Sequence, residues 1–328
     1  MRILTWHVHG SYLYYLAHAP HDFYVPVKPG RPEGYGGRAP GFRWPPNLHE
    51  VAAEDVQALP IDAVLFQSRR NCLEDQHEIL TGEQRRLPRI YLEHDPPREH
   101  PTDTRHVLDD PDVLLVHVTA FNELMWDAGR TPTRVIDHGV VVPEGLHYTG
   151  EIARGLVVVN GLARRGRRLG ADVFQRVREH VPLDLVGMLS EEAGGLGEVR
   201  HEALPAMEAR YRFFFNPIRY TSLGLAVCEA MMLGVPVVGL ATTEMPAVIE
   251  NGVSGFVDTS VPRLVDRMRD LLADASLARR LGEGARRAAR ARFDIRRFAR
   301  DWDQAIREVC GRRVEAVAAQ ATLRGETA

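Results

Sequence analysis

The strongest constraint on this chain is a rhythm. Short apolar runs alternate with helix-length segments, in two series separated by one irregular stretch. In the first series the strand candidates are 2–8 (R-I-L-T-W-H-V), 21–27, 61–68, 89–94, 112–118 and 133–139. In the second they are 155–160 (G-L-V-V-V-N), 183–188, 211–217, 235–241 and 254–258. Helical segments fall at 168–180, 223–233 and 262–273, and 276–312 is helical by composition. Buried strands alternating with helices imply parallel sheets, because each parallel connection needs a crossover. The expected fold is therefore α/β, with two doubly wound, Rossmann-like halves facing each other across a cleft. Segment 140–155 reads as the linker. The expected division is 1–147, a first Rossmann-like domain, and 148–293, a second. A helix at 294–312 would pack back toward the first domain, and 313–328 would be a frayed tail. In open α/β sheets ligands bind beyond the carboxyl ends of the strands, where helix N-termini gather.

The totals exclude several classes. With 328 residues the chain has room for two ordinary domains. A net charge of −3 gives no field that would draw nucleic acid. Cys72, Cys228 and Cys310 are widely spaced and read as free thiols in a reducing compartment. Polar residues follow Met1 too soon for a signal peptide, and no apolar run approaches the roughly 18 residues of a membrane span. A cytoplasmic protein is expected, open to peripheral membrane contact. The Gly/Pro-rich loop 28–47 is long enough to call for a use: its Tyr35, Phe42 and Trp44 form a ligand-stacking platform, or the loop is a structural flap.

One carboxylate stands out. Glu229 is the sole charge from Leu223 to Ala241. A buried carboxylate needs partners or a proton. Its helix is apolar on all sides, Thr221 or Ser222 can cap it, and Gly234 followed by Pro236 ends it. The helix start offers free N–H groups and the positive end of a dipole to a phosphate. A carboxylate two turns on can accept hydrogen bonds from a sugar diol. Phosphate and ribose together describe a nucleotide. A purely structural role, with Glu229 paired to an arginine, is the rival reading.

Residues 217–238 resemble the signature of family 4 retaining glycosyltransferases, whose fold is GT-B. Pro217, Gly224, Glu229, Ala230, Gly234, Pro236, Val237 and Val238 stand at the matching spacing. Downstream, E-N-G-V-S-G-F-V-D (250–258) is similar to a second family segment. The resemblance covers about 216–303 well and 155–190 loosely. In the first half it rests on Gly10, Y-L-E-H-D and V-I-D-H-G-V. It implies that Glu229 binds the donor ribose and that Ser222, Leu223 and Gly224 lead into the phosphate site. The family's first glutamate, which contacts the transferred sugar, is replaced by Thr221. The glycine pair after the next strand falls on Thr243 and Glu244, and the following glutamate on Ala247. Either the sugar is unusual, or Glu244 supplies the missing carboxylate, or transfer is reduced.

The same resemblance implies an arginine arm for the leaving diphosphate. Arg164, Arg165, Arg167 and Arg168 stand where the family keeps its basic pair, and Arg165 and Arg168 are the assigned members. Gly10 follows the first strand, where the backbone approaches phosphates or acceptor. His94 ends a strand and would hold the sugar or acceptor. The segment 93–106 carries His94, Asp95, Glu99, His100, Asp103 and His106, but its spacing fits no zinc motif, so no metal site is assigned. The expected activity is transfer of a sugar from a nucleotide-sugar donor to a saccharide, lipid-linked or small-molecule acceptor, with retained configuration. No cofactor is expected beyond the co-substrate. The alternatives are a non-catalytic nucleotide-sugar binder of the same fold and a sugar-nucleotide epimerase using Asp95 and Glu244. A dinucleotide oxidoreductase is disfavoured, since no strand is followed by G-x-G-x-x-G.

Overall fold

A computed structural model describes the backbone of residues 1–325 and side chains through residue 311. The chain divides into two units, Met1–Asp137 with Ile295–Ala328, and His138–Asp294. The first boundary falls before the expected 147/148, and the segment read as a linker is part of the second unit. Val140 N–H donates to Phe293 O (3.1 Å), Thr149 N–H to Ala209 O (2.8 Å) and the Tyr148 hydroxyl to Arg212 O (2.8 Å). These bonds tie an aperiodic stretch down, which hydrophobic periodicity does not register.

The sheet of the first unit contains β1 (Arg2–Thr5), β2 (Asp22–Val27), β3 (Leu48–Ala52), β4 (Ala63–Phe66), β5 (Arg89–Glu93), β6 (Val113–His117) and β7 (Thr133–Val135). Among the described residues it has seven strands in the order β3-β2-β1-β4-β5-β6-β7. All its ladders are parallel, with Ile3 set between Phe23 and Ala63. Its named helices are α1 (Gly10–Leu16), α2 (Gln76–Ile79) and α3 (Ala120–Met125). β4 and β6 are buried at every position, which is why they read as uninterrupted apolar runs. β3 was not expected. It lies at the sheet edge, and its sequence L-H-E-V-A lacks an apolar run.

The second unit has β8 (Ile152–Val158), β9 (Leu183–Val186), β10 (Tyr211–Asn216), β11 (Val237–Leu240) and β12 (Gly255–Asp258), in the order β12-β11-β10-β8-β9. Its helices are α4 (Leu162–Arg165), α5 (Ala171–Arg178), α6 (Leu204–Glu208), α7 (Leu225–Leu233), α8 (Met245–Val248), α9 (Val261–Ala273) and α10 (Ala275–Arg292). Alternate strand residues feed opposite faces. Val157 and Leu185 join a large cluster with Phe174, Phe213, Leu264 and Met268, while Leu156 and Val186 join a smaller one with Leu204 and Tyr211. α10 approaches its neighbours backbone to backbone. A Cβ on Gly284 would sit 1.8 Å from Val253 O, and one on Gly282 would sit 2.0 Å from Gly234 O.

The last helix, α11 (Ile295–Gly325), belongs to the first unit. Phe298, Trp302 and Ile306 are buried, and Trp302 Nε1–H donates to the Tyr12 hydroxyl (3.2 Å). The expected frayed tail, 313–328, falls where side chains from residue 312 on, and the whole of 326–328, lie outside the described residues.

Candidate nucleotide-sugar site

The second unit gathers most of its candidate residues beyond the carboxyl ends of three neighbouring strands, β8, β10 and β11. After β8 the chain turns through Gly161 and Gly166, both at positive φ, and spreads the four arginines over α4 and a following 3-10 turn. Arg164 and Arg167 are held in exposed ion pairs with Glu192 and Asp172. Arg165 is exposed and Arg168 half-buried. The Arg168 carbonyl accepts the N–H groups of Arg219 (3.0 Å) and Tyr220 (3.2 Å), which stitches this loop to the one after β10. Gly170, at φ 83°, closes the junction, since a Cβ there would lie 1.9 Å from Pro217 O. Asp172 takes hydrogen bonds from Arg219 and Arg167 and is held down to about 2, chiefly by Arg219.

The loop after β10 leads into the helix of Glu229. Thr221 is half-buried, Ser222 and Leu223 are buried, and the helix begins at Leu225 with Gly224 as its N-cap. This corrects the expectation that Thr221 or Ser222 caps it. The helix starts two residues later than expected, so both hydroxyls lie too far back. As N-cap, Gly224 brings no side-chain cap, and Val227 N–H turns back to Gly224 O (3.0 Å), which leaves the amides of Leu225 and Ala226 for solvent or an anion. A Cβ added to Gly224 would meet nothing within 4 Å, so there is open space beside the helix start. The approach is fixed from outside. His138 Nε2–H donates to Leu223 O (2.8 Å), and the Thr243 hydroxyl to Ser222 O (3.4 Å).

Glu229 is 6% exposed, and His201 Nε2 lies 3.7 Å from its Oε1. Glu244 is 3% exposed and accepts from Arg292 Nη2, which makes it one half of an ion pair. Beside it Thr243 holds φ 52° where the resembling family has glycine. A β-branched residue in this region is strained by roughly 1–3 kcal/mol. Thr243→Gly is therefore expected to raise stability by about 1 kcal/mol after the extra chain entropy of glycine is subtracted. A thermal melt checks this, and a lower melting temperature would show that the hydroxyl contact to Ser222 outweighs the strain.

In the first unit Gly10 opens α1 directly after His9, and His94 follows β5. His94 Nε2 lies 3.1 Å from Gln67 Oε1. The Gln67 amide donates to Thr5 Oγ1 and Trp6 O (both 2.9 Å), which makes Oε1 an acceptor and puts the proton on His94 Nε2. The His94 ring packs edge-on against His9 (4.4 Å between centroids) and Tyr12 (4.9 Å). The aromatic platform loses Tyr35. Tyr35 is buried in the core with Lys28 over its ring, while Phe42 and Trp44 pack together (5.1 Å) and against Tyr14. Among the described residues no cluster of three or more His, Cys, Asp or Glu side chains is placed to hold a metal ion. No helix among them is long and apolar enough to cross a membrane.

Sequence reasoning missed two sets of neighbours. Gln67, His9 and Tyr12 surround His94, and only the topology brings them there. His201 and Glu208 stand by Glu229, and the segment 197–208 carries no periodicity that would turn either inward.

Known proteins resemble this architecture. Residues 188–288 match the family described as glycosyl transferases group 1. Over 101 residues the chain is 29% identical to an alpha-D-kanosaminyltransferase of Streptomyces kanamyceticus; the match spans 30% of this chain and 26% of that relative. The structure of sucrose-phosphate synthase from Thermosynechococcus elongatus aligns with a TM-score of 0.69 and 17% identity, over 94% of this chain and 99% of the other. HepE of Anabaena, solved with UDP-glucose, aligns with a TM-score of 0.64 and 16% identity, over 95% and 99%. The fold is that of two parallel-sheet, Rossmann-like domains, and its structural neighbours are GT-B glycosyltransferases.

Proposed function

We propose that this protein is a cytoplasmic glycosyltransferase that moves a sugar from a nucleotide-sugar donor to an acceptor with retained anomeric configuration, as family 4 enzymes do. The observation that carries the reading is Glu229: a nearly buried carboxylate on a helix whose start is uncapped by side chains and faces open space, inside the stretch that matches group 1 glycosyl transferases. Two ribose hydroxyls donate to that carboxylate. The diphosphate takes the amides at the start of α7, approached through Ser222, Leu223 and Gly224, and the guanidinium groups of Arg165 and Arg168. Thr221 and Glu244 serve the transferred sugar. In the first unit Gly10 and His94 serve the acceptor. The acceptor hydroxyl attacks the anomeric carbon on the face from which the diphosphate departs. The bond to the diphosphate oxygen breaks, and the acceptor proton passes to the leaving diphosphate. Fixed cations and helix amides meet the charge that develops there, with no metal and no protein nucleophile in the step.

A thermal-shift screen with UDP-, GDP-, ADP- and dTDP-sugars tests the reading, since a ligand that binds the folded state raises its melting temperature. UDP-glucose comes first, because HepE was solved with it. At least one nucleotide sugar should stabilise the protein, and indifference to all four would overturn the reading. A second reading, a nucleotide-sugar binder without transfer, is favoured by two observations: Thr221 carries no charge, and Glu244 is engaged by Arg292. Release of free sugar, or transfer to any added acceptor, would exclude it.

A further inference from the structure

Behind Glu229 lies a second carboxyl group that none of the roles above uses. Glu208 is 1% exposed, at the end of α6, which packs against α7. Neither of its side-chain oxygens has a hydrogen-bond partner among the described residues. A carboxylate so placed has lost its water and gained no donor, an arrangement that a proton relieves. Glu229 differs from it in two respects. It keeps His201 within 3.7 Å, and it lies on the helix whose start meets open space. Two acids close enough to repel in a dry site share one negative charge more readily than two.

We propose that Glu208 holds the proton of a buried carboxyl pair and, by staying neutral, leaves Glu229 as the single anionic acceptor for a ligand diol. Glu208 is thus a positioning residue, acting through Glu229 and out of reach of the ligand itself. Burial pushes the Glu208 carboxyl well above the ordinary range, and the negative charge of Glu229 pushes it further. The titratable groups set against the pair are each carboxyl for the other, across α6 and α7, and His201 from the segment leading into α6, which lies 3.7 Å from Glu229.

The sign of the pH effect follows. In the unfolded chain Glu208 ionises near the ordinary glutamate value of about 4.3. In the folded chain it stays protonated to higher pH. Its contribution to stability is complete below the unfolded value and is lost as pH rises toward the folded one. Glu208→Gln, which keeps the shape without the proton, should match the parent near pH 4. It should then gain on the parent as pH rises. The ratio of the two folding constants is expected to widen by up to about tenfold per pH unit until Glu208 ionises in the folded state.

Chemical denaturation of both proteins from pH 4.5 to 8.5, without ligand, reads this directly. Carbon-13 NMR of the glutamate carboxyls in the parent gives a second measure that does not depend on any variant folding. Glu208 should titrate far above the other glutamates, and in Glu229→Gln its midpoint should fall. A Glu208 midpoint in the ordinary carboxylate range, or parallel stability profiles, would overturn the proposal. The role toward a diol rests on the nucleotide reading above and is tested separately. UDP affinity, measured by calorimetry, should stay within about threefold in Glu208→Gln and fall at least tenfold in Glu208→Lys, whose cation would draw the Glu229 carboxylate away. If no nucleotide binds the parent protein, the functional reading fails, while the titration and stability results still decide the carboxyl pair.

Discussion

Glu229→Ala is expected to erase nucleotide-induced stabilisation and to leave a folded protein. A ligand present at about 100 times its Kd raises stability by about 2.7 kcal/mol. Hydrogen bonds to a charged group contribute about 1.5–3 kcal/mol each. Losing two of them lowers affinity by at least about 100-fold, so the thermal shift should vanish at ligand concentrations that saturate the parent. The fold should survive for physical reasons. Alanine is the best helix former. The neighbours Val227, Cys228, Ala230, Met231, Met232 and Leu233 stay buried. The substitution also removes the negative charge that raises the cost of ionising Glu208. Thermal melts with and without nucleotide check both halves. A variant that fails to fold would recast Glu229 as a structural acid held by His201.

Gly284→Ala is expected to destabilise the second unit, although helix propensity alone argues for a gain of about 1 kcal/mol. The added methyl would lie 1.8 Å from Val253 O, on backbone that cannot swing aside as a side chain would. Forcing such overlap into packed structure costs about 1–3 kcal/mol and sometimes more. With the propensity gain subtracted, the melting temperature should fall by up to roughly 8 °C, at about 2–4 °C per kcal/mol for a domain of this size. Gly282→Ala should behave alike, and it should also weaken nucleotide binding. Its clash is with Gly234 O, the residue that ends the helix of Glu229. A rise in melting temperature for either variant would mean that α10 is free to move outward.

Much of the architecture was legible in the sequence, because central parallel strands are buried on both faces and announce themselves as apolar runs. The runs at 112–118 and 211–217 correspond to β6 and β10. The edge strand β3 has no such run, and the sequence beside it reads as loop. The ends of α7 show the same division. Gly234 at φ 87° marks a stop that residue type announces. The start depends on where Gly224 leaves the extended region, and Thr221 and Ser222 looked equally suitable. At the site, the lone charge of Glu229 was visible because its neighbours are apolar. Glu208 was hidden because Arg200, Glu202 and Arg210 flank its short helix, so its charge does not stand alone, and only the packing of α6 on α7 shows that it faces inward. The arginine cluster was visible as a cluster, but sequence cannot tell which guanidinium groups Glu192 and Asp172 hold.

The order of the chain bears on how it is made. All of His138–Asp294 is contiguous, so the second unit has every residue it needs as soon as Asp294 has left the ribosome. The first unit does not. Tyr12 waits for Trp302, 290 positions later, and Phe298 and Ile306 arrive with it. Such distant closure is slow and leaves an apolar seam bare in the meantime. Translation that stalls just after Asp294 would therefore release a finished C-terminal half joined to an N-terminal half that still lacks its closing helix, and that half is the one a chaperone would have to shield.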